Sequence, residues 1–274
     1  MNNLHRELAP VSEPAWAQIA EEATRTFRRN IAGRRVVDVE GPKGCELSAI
    51  GTGHVRALRS DENSLIVSQR EVQPVIELRV PFRVTRAAVD DVERGAGDSD
   101  WQPVKDAARA IAIAEDRAIF SGMGMAGIGG VIPQSSNTPI NLPARAEDIP
   151  DTVAHALSSL RLAGVDGPYS LLLSSDEYTK IMESTDHGYP IRDHVARLLP
   201  EGAIIWAPAL EGGLLISTRG GDYELHLGQD LSIGYSSHDS EFVELYLQET
   251  FGFLALTAES SVPLSSIPDG GVHT

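Results

Sequence analysis

The chain has 274 residues, 42% hydrophobic and only 5% aromatic, with 39 acidic against 23 basic side chains and a formal net charge of −16. This is enough for one large core or two modest ones, and it is not the composition of a disordered or fibrous protein. The acidic excess argues against a general nucleic-acid binder, whose phosphate contacts come mainly from Lys and Arg.

One cysteine, Cys45, leaves no internal disulfide and no multi-cysteine zinc site. It fits a reducing compartment and is expected to act as a small apolar filler. Met1 to Glu7 carries no apolar signal core, and no run approaches the ~20 apolar residues of a membrane span, so a cytoplasmic location is expected.

Ser12-Glu13-Pro14 marks a helix start, and Trp16, Ile19, Ala20, Ala23, Phe27 and Ile31 then recur at three- and four-residue steps. Acids lead and Arg25, Arg28 and Arg29 follow, as the helix dipole prefers, and Gly33 reads as the stop. Arg34 to Val39 is expected to be a short strand and Gly41 to Gly44 a turn. Residues 51–72 read as a long projecting hairpin around the polar tip Ser60 to Ser64, with little core of its own. Ile76, Leu78, Val80, Phe82 and Val84 alternate with polar residues, and Pro81 places that strand near an edge.

Asp98 to Pro103 opens a helix through Phe120. Residues 122–141 are rich in Gly, Ser, Asn and Pro and predict a domain boundary. Beyond them come a helix from Pro150 to Ala163, the apolar strand Tyr169 to Leu173, and a helix with the capping-box pattern of Ser174 and Glu177. Strands at Ile204–Trp206 and Leu214–Ile216 complete an α/β unit over 135–222. From Thr218 to Phe253 strand and turn signals alternate with no chemistry among them. The tail 265–274, with Pro268, Gly270 and Gly271, is expected to be mobile.

No constellation amounts to a catalytic site. Gly122 to Gly127 matches G-x-G-x-x-G, but a helix precedes it where the dinucleotide motif needs a strand, so it reads as a turn. Glu183 to Pro190, with Asp193 and His194, gathers two histidines and several carboxylates on a polar loop rather than at metal-ligand spacing. Asp90-Asp-Val-Glu93 reads as an acidic first turn of a helix, and Ser174 as a cap, since no G-x-S-x-G surrounds it. Arg25, Arg28, Arg29, Arg34 and Arg35 form the main basic concentration. No catalytic residue, metal or cofactor is expected.

Several ordered motifs carry a resemblance. They are Leu8-Ala-Pro10 with Trp16, Gly33 to Val39, Asp91 to Gly95, Glu115-Asp116 with Ile119-Phe120, Gly164 to Tyr169, and His187 to Ile191. RGGD at 219–222, LGQDLSIGY at 227–235 and LYLQETF at 245–251 follow. Together they resemble encapsulins, bacterial shell proteins that share the fold of tailed-phage capsids.

The resemblance implies an α+β, HK97 phage-capsid-like fold. Residues 1–50 would begin a peripheral domain, 51–72 form the extended E-loop, and 73–134 hold the spine helix. Residues 135–222 would form the axial domain, 223–264 return to the peripheral domain, and 265–274 be a flexible tail. It implies self-assembly into an icosahedral shell of roughly sixty subunits, closed by rotation. It also implies capture of a cargo enzyme, such as a dye-decolorising peroxidase or a ferritin-like protein, through a C-terminal peptide on the cargo.

Carried over residue by residue, the family's peptide pocket would comprise Phe27, Ile31, Arg34, Asp38, Leu231, Ile233 and Tyr235. The same apolar residues equally fit a core. An Ile233→Asp change is expected to leave particles assembled while reducing cargo retention. The loop Asp186-His187-Gly188-Tyr189 matches the family's five-fold pore. The Trp that some members use near flavin is absent, with Ala87 and Ala88 in that neighbourhood, so flavin is not carried over. Two other readings of the same fold are a phage or prophage capsid protein packaging DNA and a bacteriocin- or protease-like enzyme.

Overall fold

The computed structural model describes residues 3–58 and 66–266. The polar tip Ser60 to Ser64 and the tail residues 267–274 lie outside the described residues.

Ser12 caps the first helix, α1 (Glu13–Asn30), its Oγ accepting the Ala15 N–H at 3.4 Å. Helix α1 buries Ala15, Trp16, Ile19, Ala23 and Phe27. Strands β1 (Asp38–Glu40), β2 (Ala49–Leu58), β3 (Val67–Pro74) and β4 (Ile76–Thr85) follow, then α2 (Arg86–Glu93) and the long α3 (Gln102–Phe120). On α3, Val104, Ala107, Ala108, Ile111 and Ala112 share a core with the buried face of α1, where the alanines let the helix backbones approach.

After a short α4 (Val131–Gln134) come β5 (Ile140–Asn141), α5 (Ile149–Leu162), β6 (Tyr169–Leu173), α6 (Ser175–Glu183), β7 (Thr185–Asp186) and β8 (Tyr189–Pro190). Then follow α7 (Ile191–Leu198), β9 (Ile204–Trp206), β10 (Gly213–Ser217), β11 (Tyr223–Leu227), β12 (Ser232–His238), β13 (Phe242–Ala255) and β14 (Ser261–Ser265).

The 14-residue β13 is the axis of the first sheet. Along one flank it pairs with β4, and along the other with β12 and then β11, which in turn takes β1 in parallel. Strand β4 pairs with β13 alone, so Pro81 sits on an edge, where its missing N–H is harmless. The second sheet runs β5-β14-β10-β6-β9.

Helices α5 and α7 cover one face of the second sheet, and the other faces Phe120, Phe251 and Phe253. Thus Leu171 and Leu173 enter one core and Leu172 the other. Burial on both faces explains why Leu171–Leu173 of β6 run apolar without alternation. Strand β14 belongs to this second sheet, antiparallel to β10. The chain therefore crosses once more than the boundary expected at 223–264, because Val262 and Leu264 complete the core of the second sheet.

Four local expectations need correcting. Gly33 is not the helix stop: α1 ends at Asn30 and is capped by Ile31, whose N–H donates to Phe27 O at 3.0 Å. The Asp116 carboxylate accepts the N–H groups of Ala32 and Gly33 at 2.9 and 2.7 Å and draws the backbone into a 3₁₀ turn, Gly33–Arg35. The strand expected from Arg34 therefore begins only at Asp38. Asp90, Asp91 and Glu93 lie in the last turns of α2, not its first, since Thr85 caps that helix through Ala88 N–H at 3.1 Å. Cys45 is exposed, its thiol 3.7 Å from Gln229 Oε1, because the Gly41–Gly44 segment carries it out of the core.

Gly33 is required by space. A Cβ there would lie 2.7 Å from Ile119 Cδ1 and 2.9 Å from Asp116 Oδ1, and Ile119 is fully buried. Gly33→Ala is expected to cost about 1–3 kcal/mol, read as a lower midpoint in thermal or denaturant unfolding. Gly51→Ala, which meets open space, is the control with little change.

Candidate functional site

The residues expected at a peptide pocket are brought together in part. Phe27, Ile31 and Ile233 are buried in the first core, and Leu231 and Tyr235 pack against it half-exposed. Five of the seven residues are thus brought to one place, where the end of α1 meets β12. Strand β12 is the last in its sheet, and the Tyr235 N–H on that edge donates to Leu4 O at 2.8 Å. The Tyr235 hydroxyl is 2.6 Å from His238 Nδ1.

The two polar members are spent on internal bonds. Asp38 stands elsewhere, its carboxylate accepting the Gly221 N–H at 2.6 Å and fixing the turn before β11. Arg34 lies over the Phe27 ring at 4.9 Å and forks onto Glu115 at 2.8 and 2.6 Å. It also bonds Asp230 at 2.7 Å and Glu249 at 3.1 Å. Sequence reasoning missed this network, although its signal was present: Val243, Leu245, Leu247, Glu249, Phe251 and Phe253 form the inward row of β13, and Glu249 is its one charged member.

Glu115 and Glu249 are fully buried. Burial alone would lower the Arg34 pKa, but the hydrogen bonds and charges of Glu115 and Asp230 raise it above its ordinary value. Desolvation, then the Glu115 carboxyl, push Glu249 well above the usual carboxylate range, and Glu249 Oε1 has no hydrogen-bond donor. Its charged form is therefore less favoured than that of an exposed carboxylate. Desolvation likewise raises Asp116 to about 7, against the lowering effect of the two backbone N–H bonds.

The other candidates separate cleanly. His187 and Gly188 take φ of 46° and 84°, making a two-residue hairpin turn between β7 and β8. The His187 side chain projects outward, 98% exposed and 3.6 Å from Asp186. Tyr189 instead packs between His194, at 4.7 Å between ring centroids, and Arg197, at 4.7 Å from its ring. Gly122 to Gly127 forms a 3₁₀ turn closed by a bridge between Met123 and Ile128.

Ser174 accepts the Glu177 N–H at 3.4 Å as a cap, while Glu177 turns to Lys180 at 2.8 Å and leaves the capping box half made. Glu40, Glu224 and His226 come within metal-ligating reach of one another. Lys43 Nζ, however, sits 2.7 Å from Glu40 and 3.2 Å from His226 and fills the place of a cation.

Comparison with known proteins identifies the family. The family whose model matches residues 1–252 is described as an encapsulating protein for peroxidase. A type 1 encapsulin shell protein of Brevibacterium linens is 72% identical over 265 residues, covering 97% of this chain and all of the relative. The chain belongs to the type 1 encapsulin family.

The Mycobacterium tuberculosis shell protein is 56% identical, again over 97% of this chain and all of its own length. A virus-like particle from Pyrococcus furiosus shares the fold with a TM-score of 0.64 at 14% identity, over 91% of this chain and 99% of that one. Mycobacterium phage Bobi follows at a TM-score of 0.58 and 13% identity, over 87% and 91%. The fold is that of HK97-like capsids.

Removing the cation from the buried network should be far worse than neutralising a carboxyl whose pKa is already raised. Arg34→Leu is expected to cost about 3–5 kcal/mol by leaving buried charge uncompensated, whereas Glu249→Gln should cost about 1 kcal/mol or less. Because the folded pKa of Asp116 exceeds its unfolded value, the folded state holds more protons between pH 4 and pH 7. Its contribution to stability is therefore present at the acid end and falls as pH rises to about 7. Unfolding midpoints across that range should show the fall, and Asp116→Asn should flatten it.

Proposed function

We propose that this chain is a shell subunit that self-assembles into a closed, roughly sixty-subunit icosahedral compartment around a peroxidase-type cargo, and has no catalytic role itself. The observation that carries the reading is the full-length match to type 1 encapsulin shell proteins. A DNA-packaging capsid shares the fold, but those relatives at 14% identity or lower speak for fold alone. Among the described residues no helix is long and apolar enough to cross a membrane.

In this reading the cargo peptide lies in extended form along the start of β12, short of the point where Leu4 O takes the Tyr235 N–H, with its apolar side chains on Leu231 and Tyr235. Edge strands accept an added strand through backbone hydrogen bonds, and neighbouring pockets supply specificity. Phe27, Ile31 and Ile233 support that surface from beneath, and Arg34 positions it through its buried bonds. Ferritin-like cargo would use the same surface if it carries the same kind of peptide. At the pore, five copies of the Asp186–Tyr189 hairpin would gather charge around one opening and bias the passage of small ions.

Size-exclusion chromatography with mass spectrometry of the high-mass fraction tests assembly. Large particles carrying a second polypeptide are expected, and a monomer or small oligomer would refute the reading. Ile233 is 6% exposed within the core, so Ile233→Asp would threaten folding and cannot isolate the cargo surface. Leu231→Asp is the sharper change. Particles should form normally and retain about tenfold less peptide-tagged cargo; full retention would remove this edge from consideration. Asp186→Asn should leave assembly intact and alter the turnover of a charged substrate by enclosed peroxidase, with free peroxidase as reference.

A further inference from the structure

The basic run of α1 divides in the fold. Arg34 is held in the buried network, whereas Arg25 and Arg29, one helical turn apart, line a groove of about 610 Å³ with Lys105 and Arg109, one turn apart on α3. Trp206, at the end of β9, forms part of its wall and is held by Nε1 donating to Ser175 Oγ at 3.1 Å. The carboxylates of the groove are already engaged. Glu22 pairs with Arg25 and accepts from Thr26 at 2.9 Å, and Asp106 accepts from Gln102 at 2.8 Å. Arg29, Lys105 and Arg109 have no ion pair and no side-chain hydrogen bond among the described residues.

Like charges one turn apart on a helix repel, and here two such pairs from packed helices share one groove. In a chain with a net charge of −16, carboxylates for neutralising them are plentiful, yet none reaches Arg29, Lys105 or Arg109. An anion seated between the helices would remove the repulsion. The volume falls in the range of small-ligand sites, about 300–1,000 Å³. Guanidinium forks match phosphate oxygens two at a time, and a lysine adds a point charge.

We propose that this groove binds a small polyphosphate-bearing molecule, with Arg29, Lys105 and Arg109 on its phosphates. The inference is independent of the cargo surface, which lies at β12.

Calorimetric titration of the full-length protein at low salt with ATP, and separately with inorganic tripolyphosphate, tests it. Saturable binding of both is expected, and the double variant Arg29→Gln/Arg109→Gln should bind each about tenfold more weakly or worse. Both substitutions are on exposed side chains, and an unchanged elution volume confirms that the variant is folded and assembled as before. Trp206→Leu separates the sources. A loss for ATP alone assigns a nucleotide, and equal behaviour of the two probes assigns the polyphosphate moiety. No saturable binding, equal affinity in the double variant, or binding of a polyglutamate peptide in preference to both probes would overturn the proposal.

Discussion

Arg34 and the carboxyl groups around it hold the first half of this fold in register. The residues on either side of them belong to two different apolar cores. Ile111 and Ala112 of α3 enter the first, and Ala118, Ile119 and Phe120 the second. Ile31 enters the first and Ala32 the second; Leu247 enters the first and Phe251 the second. At the seam stand Glu115 and Asp116 on α3, Glu249 on β13 and Arg34 between them. A charged residue so placed cannot slide by one position without burying an unpaired charge, so the network fixes the offset of helix against strand more sharply than apolar packing alone. The upward shift of the Glu249 pKa acts in the direction that lessens the charge one arginine must balance.

That seam also ties the scaffold to the surface assigned to cargo. Asp230, bonded to Arg34, lies immediately before Leu231, and the Leu231 N–H donates to the same Asp230 carboxylate oxygen at 2.7 Å. The start of β12 is therefore anchored to the centre of the molecule through a single side chain. A surface built this way is stiff, which lowers the entropic cost of seating an extended peptide. Under the proposed cargo reading, Arg34 acts on this surface by positioning rather than by contact.

Much of this was legible in the sequence wherever one physical signal dominated. Ser12 followed by an apolar stripe gives α1, strict alternation gives β4, and the run through Leu171 to Leu173 gives a strand buried on both faces. Signals failed where a distant group overrode local preference. Nothing near Gly33 indicates that Asp116, 83 positions away, will claim its N–H and turn Arg34 inward. Asp38 looks like a partner for Arg34 because they are close in sequence, but the chain carries it to the turn at Gly221. Of the residues carried over for the pocket, the apolar members share one core because packing is cooperative. Arg34 and Asp38 instead bond partners from elements far apart in the chain.

The hairpin of β2 and β3 shows why the subunit is better understood as part of an assembly. Val55, Leu58, Ile66, Val67 and Val72 are all exposed on it, with Ile66 at 78%. A two-stranded ribbon is marginal in water by itself. Among the described residues its links to the body lie at its base, where Ile50 packs under Gly252 and the Gln73 amide donates to Ala126 O at 3.2 Å. Apolar residues on a projecting ribbon are unfavourable in a free subunit and become favourable when a neighbour covers them. The single chain thus leaves its own hydrophobic accounting incomplete at the hairpin while closing it tightly at the Arg34 seam, and that contrast is what a rigid tile with an adhesive arm requires.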